Sequence, residues 1–267
     1  GIASNAASIT QSHNIYGILQ TSNTVHNIYF NSIYIGGSGV SGALNTFAYQ
    51  RNQASHTIAT SLRNNIFVNS RSNGAGTGLH YSIGLPNSTA FITSNFNLLY
   101  ANGNGGAVGL QLATTHSNLT SWQSSTGFDV NSLYGNPGFV NAIGNATLVD
   151  LHIDIATPTQ VESSGTNVSI FDDYDNDIRF GGGGYAGAGT AVDIGADEGD
   201  FIPQDLTPPF IVYTPIPTQT VLTPPNLVAT VTDASGVAAS AGTAPRIYFK
   251  RSTDANTYVD NTNATNG

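Results

Sequence analysis

Short apolar runs recur along the first two hundred residues at a nearly constant spacing. The runs centred on Ile33, Ile66 and Leu98 align at steps of 33 and 32 residues, and a polar residue precedes each run. A second series, with a step of about 30 residues, interleaves with the first and comprises the segments 17–19, 46–49, 78–81 and 109–112. Two interleaved series with one period predict at least two strands in every repeat. Strands this short cannot bury a face alone, so we expect successive repeats to stack and to satisfy each other's backbone groups, as in a parallel β-helix.

The main alternative is a sandwich of antiparallel hairpins. That architecture would show turn signals about every 8 to 12 residues, with two-residue loops between alternating strands. The dipeptides Asn73-Gly74 and Asn102-Gly103 do occur, but each lies in a longer glycine-rich stretch at the same phase of the repeat. We therefore interpret them as corner loops of successive repeats. The long period favours an all-β solenoid over residues 1–200.

One segment departs from the strand pattern and predicts a short helix over residues 118–127. Asn118 is an N-cap candidate, apolar residues follow three apart, and Gly127 ends the segment. The single tryptophan, Trp122, lies within it. Its ring is either a sugar-stacking platform or a buried anchor that pins the helix to the edge of the stack. We favour the anchor, because large aromatic rings dominate the packing of cores.

Composition narrows the range of partners. Only 9% of the residues are charged, and the formal net charge is −9. Because nucleic-acid binding needs clustered cations, we expect no nucleic-acid partner, and we interpret Arg246, Lys250 and Arg251 as a solvated strand face. Cysteine is absent, which excludes disulfides and thiol chemistry and fits a secreted bacterial protein. No apolar run approaches the ~20 residues needed to cross a bilayer, so we expect no transmembrane segment.

The residues from the predicted helix onwards resemble a known family. The matching positions are Trp122-Gln123, Thr126-Gly127, Asp129, Asn131-Ser132, Pro137, Phe139-Val140-Asn141, Asp150-Leu151-His152-Ile153 and Asp193-Ile194-Gly195-Ala196-Asp197-Glu198. On these positions, and over residues 60–200, the chain resembles the C-terminal end of secreted bacterial right-handed parallel β-helix proteins of the pectate-lyase-like superfamily. It departs from their pattern at 156–169, where a Ser-Pro-Ala-Ile-Asp-like stretch is missing. The resemblance implies a module of a large, secreted or cell-surface protein in which the β-helix precedes Ig-like domains.

A second domain is predicted to follow the β-helix. Residues 201–209 contain three prolines and are predicted to form a linker. Strand-like runs at 210–213, 227–232 and 246–250 resemble the opening strands of an Ig-like sandwich. Such a sandwich usually needs about 100 residues, whereas 58 follow the linker. We therefore expect 210–267 to be a truncated Ig-like domain, and the chain to be a monomeric module of a longer protein.

The densest acidic group lies at 172–177. Alternate carboxylates at Asp173, Asp175 and Asp177 can turn their oxygens to one side of a loop, and Ca²⁺ prefers about six to eight oxygen ligands. An EF-hand is excluded, because the position that requires a bidentate glutamate falls on Gly184. A calcium site at the three aspartates is therefore one interpretation of this group.

We favour a structural role for these acids over a cofactor site. A solenoid needs polar groups where its last strands end, so the acidic loop is expected to cover the open end of the last repeat. In that interpretation Arg179 pairs with Asp193 or Asp197. No cofactor is then expected, and Ca²⁺ stands as the alternative.

Catalytic groups are scarce in the predicted repeats. Residues 1–128 contain no Asp or Glu, and residues 1–200 contain no lysine and four arginines. The superfamily implies two chemistries: a lyase that uses Ca²⁺ with a basic residue, and a hydrolase that uses paired carboxyl groups about 5 to 9 Å apart. The repeats lack carboxylates for either, and the histidines lie too far apart in sequence for a zinc motif. We predict no catalytic residues and lean towards a protein that is not an enzyme.

The favoured hypothesis is a non-catalytic scaffold or adhesive module of a large exported bacterial surface protein. Alternation along the strands would place Tyr34, Phe67 and Leu99 on one stripe. If that stripe faces solvent, Tyr34 and Phe67, with Trp122, are candidate contacts for a polysaccharide or cell-surface glycan. The alternative is the tail of a polysaccharide lyase or glycoside hydrolase whose catalytic repeats precede this chain.

Overall fold

The computed structural model describes residues 9–53, 57–216 and 226–238, and the positions 240, 244–246 and 253. The chain divides into two compact units between Gln204 and Asp205. The described part is mostly β-structure with parallel sheets and one short helix. In the first unit the elements are β1 (Ile15–Gln20), β2 (His26–Tyr29), β3 (Ser32–Ile35), β4 (Thr46–Arg51), β5 (Thr60–Arg63), β6 (Ile66–Asn69), β7 (His80–Leu85), β8 (Ile92–Asn95), β9 (Leu98–Tyr100), β10 (Gly106–Gln111), β11 (Thr114–His116), α1 (Leu119–Thr126), β12 (Phe139–Asn141) and β13 (Asp150–Ile153).

Three parallel sheets form most of the first unit. Their strand orders are β1-β4-β7-β10, β2-β5-β8 and β3-β6-β9, with β11 added antiparallel to β10. The chain therefore visits the three sheets in turn and then begins again, which agrees with the prediction of at least two strands per repeat. Parallel pairing excludes the antiparallel sandwich for these strands. The sequence pattern does not predict the β2-β5-β8 series, because polar residues interrupt its short strands, as in β5.

The register of the β3-β6-β9 sheet differs by one residue from the predicted register in its first step. Ile33 lies opposite Phe67, and Phe67 lies opposite Leu99. The predicted alignment of Ile33 with Ile66 is therefore wrong. Because side chains alternate along a strand, a one-residue slip exchanges the two faces of the sheet. Ile33, Phe67 and Leu99 pack into the core between the three sheets, and Tyr34 does not share a stripe with Phe67.

A ladder of asparagines holds the corner that leads into the β3-β6-β9 sheet. The Asn31 backbone N–H and side-chain amide both donate to Asn65 Oδ1, at 3.1 and 2.9 Å. Asn65 makes the same two bonds to Asn97 Oδ1, each at 3.0 Å. The ladder ends on Ser132, whose hydroxyl oxygen accepts the Asn97 N–H at 2.8 Å. The polar residue before each apolar run is thus part of the repeat, since buried amides need partners.

The residue before each ladder asparagine has a left-handed backbone conformation. Phe30, Asn64 and Phe96 have φ of 54°, 55° and 55°, and Asp129, near the end of the ladder, has φ of 58°. This conformation costs a non-glycine residue about 1 kcal/mol or more. Its recurrence at one phase of the repeat indicates that the neighbouring rungs enforce the corner.

Helix α1 packs on the last strands of the stack. Asn118 caps its first turn, and Gly127 ends it with φ of 71°, as the sequence predicts. Trp122 is completely buried and donates its indole N–H to Asp129 Oδ2 at 2.8 Å. A Cβ at Gly109, in β10, would lie 2.2 Å from the Trp122 ring, so only glycine fits there. The interpretation of Trp122 as a buried anchor is confirmed.

The chain after α1 runs back along the β3-β6-β9 sheet. Leu133 pairs with β9 in the last repeat. Further on, Gly195 donates its N–H to Asn64 O at 2.9 Å, and Ala196 donates to Ser32 Oγ at 3.0 Å, beside the earlier repeats. A second hydrophobic cluster on this side comprises Ile66, Val68, Leu98, Ile153, Val161, Ile194 and Phe201. Both faces of the sheet are therefore buried, which explains the continuous apolar runs of its strands.

The second unit contains two described strands. β14 (Phe210–Tyr213) pairs antiparallel with β15 (Ala229–Thr232), and both overlap predicted runs. The third predicted run, 246–250, lies outside the described residues except for Arg246, as do Lys250 and Arg251. Over the part of the chain that the structure describes, no helix has the length and apolar character needed to cross a membrane.

Candidate functional site

The acidic loop 172–177 is held together by one of its own carboxylates. Asp173 Oδ1 accepts the backbone N–H groups of Asp175 and Asp177, at 2.9 and 2.8 Å, and Asp173 Oδ2 accepts the Glu198 N–H at 3.0 Å. Both oxygens of Asp173 are thus engaged by the backbone, so this residue stabilises the loop. Of the three predicted calcium ligands, the loop leaves the side chains of Asp175 and Asp177 exposed.

Asp175 meets a histidine and another aspartate that come from different segments. His152, on β13, has Nε2 2.7 Å from Asp175 Oδ2 and Nδ1 2.5 Å from Asp150 Oδ1. Asp197 accepts the Ile153 N–H at 2.7 Å, which fixes its carboxylate beside β13. Ligand atoms of His152, Asp175 and Asp197 all lie within 4.8 Å of one another. We call these three residues the His–Asp cluster.

The His–Asp cluster is not visible in the sequence spacing. His152 precedes Asp175 by 23 residues and Asp197 by 45, so its members meet through the tertiary fold. Among the described residues, no other group of three or more metal-ligating side chains converges in this way. One local signal was present. Asp150 and His152 are two residues apart on a strand and therefore point to the same face.

Negative charge dominates the His–Asp cluster. Hydrogen bonds to Asp150 and then to Asp175 raise the pKa of His152 to about 9. The backbone and side-chain hydrogen bonds from His152 lower the pKa of Asp150. Burial raises the pKa of Asp197, although the Ile153 N–H opposes that shift. Three carboxylates thus surround one imidazole, which leaves the site favourable to a cation.

A buried ion pair holds the segment that carries Asp197. Arg179 Nη1 donates to Glu198 Oε2 at 3.0 Å, with both side chains almost completely buried, and its guanidinium lies 3.9 Å over the Phe30 ring. The predicted pairing of Arg179 with Asp193 or Asp197 is wrong. Asp193 instead accepts backbone N–H groups on both of its oxygens, and Asp197 faces β13.

The prediction that the acidic loop covers the end of the last repeat is wrong. Its Tyr174 donates its backbone N–H to Ala196 O at 3.1 Å, and Ala196 is bonded to Ser32 in the first repeat. The end of the stack is covered by α1 instead. The prediction fails because the chain folds back along one sheet after Leu133, which brings its later acids beside the first repeat.

The three aromatic residues predicted to contact a glycan lie in different surroundings. Phe67 and Trp122 are completely buried, so their rings are not available to a ligand. Phe67 stacks on Tyr49 in the core, with ring centroids 5.6 Å apart. Tyr34 is half-buried, and its ring packs edge-on against Phe139 at 6.5 Å. The predicted glycan contacts Phe67 and Trp122 are therefore corrected to packing residues, and Tyr34 is partly accessible.

Comparisons of the chain with protein-family models, with curated proteins and with solved structures find no match. Functional inference therefore depends on the residues and their geometry. The structure brings together His152, Asp175 and Asp197, with Asp150 behind the histidine, and it assigns Asp173 to the loop itself.

Proposed function

We propose that this chain is a non-catalytic scaffold module of a large exported bacterial surface protein. It comprises C-terminal coils of a right-handed parallel β-helix of the pectate-lyase-like superfamily, followed by strands of an Ig-like domain. The observation that carries this proposal is that basic side chains in the repeats bond to the protein's own backbone carbonyls. Two of the three arginines in the repeats, Arg51 and Arg71, are buried and bonded to the protein itself.

The pairing register supports a β-helix. Residues paired between neighbouring repeats are 34 and then 32 positions apart in the β2-β5-β8 sheet, and the β3-β6-β9 sheet has the same two steps. Because both sheets have the same spacing, the corner between them has the same number of residues in every repeat. The ladder asparagines in that corner can therefore lie directly opposite one another. A solenoid with regular corners is stabilised by contacts between nearest neighbours, as suits a spacer or scaffold.

Two of the three arginines of the repeats argue for a scaffold over a lyase, whereas the third, Arg63 on β5, is only partly buried. Arg51 and Arg71 are completely buried. Arg51 donates to the backbone carbonyls of Ser88 and Ala90, at 2.8 and 2.9 Å, and Arg71 donates to carbonyls near residue 10. A lyase base must reach its substrate. These two guanidinium groups instead hold loops against the stack.

The adhesive role is assigned to exposed polar pairs that link neighbouring repeats. Asn23 donates its amide to Thr57 Oγ1 at 2.9 Å, and Asn87 donates to Asn52 Oδ1 at 2.6 Å, both at the surface. Amides and hydroxyls in fixed positions are suited to hydrogen-bond the hydroxyl groups of a polysaccharide or cell-surface glycan. The half-buried ring of Tyr34 offers a smaller apolar contact.

The proposal is tested by incubating the purified chain with a panel of uronate and neutral polysaccharides. Unsaturated products are followed by ultraviolet absorbance and new reducing ends by colorimetry, while a glycan array measures binding. We expect no turnover of any polymer, and weak binding that Asn87→Ala and Asn52→Ala reduce.

Turnover would overturn the scaffold proposal in favour of the lyase or hydrolase alternative. Asp175→Asn and Asp197→Asn then identify the source, because their carboxylate oxygens lie within 4.8 Å of each other and are accessible to solvent. Asp177→Asn is the matched control, since it removes an exposed acid of the same loop that lies outside the His–Asp cluster. Loss of turnover in the first two variants and not in the control would establish an acid-dependent enzyme.

A further inference from the structure

The His–Asp cluster joins three parts of the chain that are distant in sequence. His152 lies on β13, Asp175 in the acidic loop, and Asp197 in the segment that packs on β3 and β6 through Ala196 and its neighbours. All three are at least partly exposed to solvent. An ion could therefore reach the cluster from solution and would connect β13, the acidic loop and the segment that carries Asp197.

We propose that His152, Asp175 and Asp197 bind one divalent transition-metal ion, of the zinc and manganese class. The donor set is one imidazole nitrogen and two carboxylate oxygens. Calcium prefers about six to eight oxygen ligands and rarely uses nitrogen, whereas Zn²⁺ and Mn²⁺ accept this mixture with about 2.0–2.2 Å bonds.

The geometry requires only side-chain adjustment. The ligand atoms of His152, Asp175 and Asp197 lie within 4.8 Å of one another, and His152 Nε2 and Asp175 Oδ2 are 2.7 Å apart. Ligands of a common zinc ion are typically about 3–3.5 Å apart, given the usual bond lengths. The proton between Nε2 and Oδ2 leaves to solvent when the ion takes its place. Water completes the coordination on the exposed side.

Asp150 positions the histidine for this role. Its Oδ1 lies 2.5 Å from Nδ1 of His152, so the Nδ1 proton is held there and Nε2 is directed towards Asp175. A carboxylate on the far nitrogen is the usual partner of a metal-bound histidine, because it fixes the ring and its tautomer. Asp150 is therefore assigned as a positioning residue and not as a ligand.

Among the described residues, no arginine or lysine forms an ion pair with this cluster. In the described part of the chain, the ion pairs of Asp150 and Asp175 are both with His152, and Arg179 is committed to Glu198. Asp197, which is only partly exposed, also lacks an arginine or lysine partner among these pairs. Three carboxylates thus face one imidazole, and a divalent ion would balance the remaining negative charge.

The test is calorimetric titration of the full chain with ZnCl₂, MnCl₂ and CaCl₂ after removal of metals by EDTA. We expect one zinc or manganese ion per chain, with calcium at least about tenfold weaker. His152→Ala, Asp175→Asn and Asp197→Asn should each lower zinc affinity by at least about tenfold. Asp150→Asn should lower it by about 10- to 100-fold. Asp177→Asn, the matched loop control, should retain the parent affinity.

Three results would overturn the proposal: zinc affinity that is equal in His152→Ala and the parent, a control that loses as much as Asp175→Asn, or calcium bound more tightly than zinc. Circular dichroism identifies a variant that fails to fold. Nitrogen-15 NMR of the unsubstituted protein then decides, because zinc should shift the His152 ring signals and leave those of buried His80 unchanged.

Discussion

The asparagine ladder supports a quantitative test, and Asn65→Ala is its sharpest perturbation. The Asn65 side chain is completely buried and makes four hydrogen bonds. It accepts two from Asn31 and donates one to Ile28 O at 2.8 Å and one to Asn97 Oδ1 at 3.0 Å. Alanine removes all four and leaves the partly buried Asn31 N–H and Ile28 carbonyl without these partners.

The expected loss of stability follows from that count. A typical intramolecular hydrogen bond contributes about 1 kcal/mol net, so four sum to about 4 kcal/mol. For a unit of about 200 residues, this corresponds to a fall in Tm of about 10 °C. Asn31→Ala is the matched control at the first rung. Asn31 is half-buried, and its amide donates only to Tyr29 O and Asn65 Oδ1, so we expect a loss of about 1 kcal/mol.

Both variants are compared with the parent by thermal and urea unfolding, with far-ultraviolet circular dichroism and Trp122 fluorescence as two probes. The ladder interpretation predicts that Asn65→Ala loses several times more stability than Asn31→Ala. Equal losses, or a loss below about 1 kcal/mol at Asn65, would refute the claim that the ladder enforces the corner.

Three further outcomes follow from buried groups. Trp122→Phe should lower the free energy of unfolding in urea by about 2 kcal/mol, because it leaves Asp129 Oδ2 without its indole donor. Arg179→Met should cost about 3–5 kcal/mol by the same measurement, since Glu198 is left buried and unpaired, and adding Glu198→Gln should recover part of the loss. Burial lowers the pKa of His80 to about 4, below its ordinary value of 6.5. His80 therefore supports folding above about pH 6.5, and that contribution is lost as pH falls towards 4, so His80→Gln should flatten the pH dependence of stability by on the order of 3 kcal/mol. An unchanged profile would contradict this account of His80.

Much of the local structure was predictable from the sequence. The strands around Ile66 and Leu98 follow from apolar runs that are buried on both faces, and α1 follows from Asn118 and Gly127 at its ends. These features depend on neighbours within a few residues. The burial of Trp122 was also predictable, because a helix beside a stack needs a large apolar contact.

The exact register was not predictable from the same pattern. β3 and β6 contain consecutive apolar residues, so a shift by one position leaves the pattern almost unchanged. Only the pairing of neighbouring strands and the asparagine bonds at the corner select one register. The β2-β5-β8 series was not predicted for a related reason. Ser61 and Thr93 interrupt the apolar residues of its strands.

The sequence by itself determined the all-β character of the chain, its repeat, its one described helix and the absence of acids from residues 1–128. Those properties are local or additive along the chain. Only the tertiary structure decided where the later acids lie, because the fold-back after Leu133 brings segments 23 and 45 residues from His152 to one place. Loop closure over such distances depends on how each segment packs on the β3-β6-β9 sheet, and no spacing within the sequence records that packing.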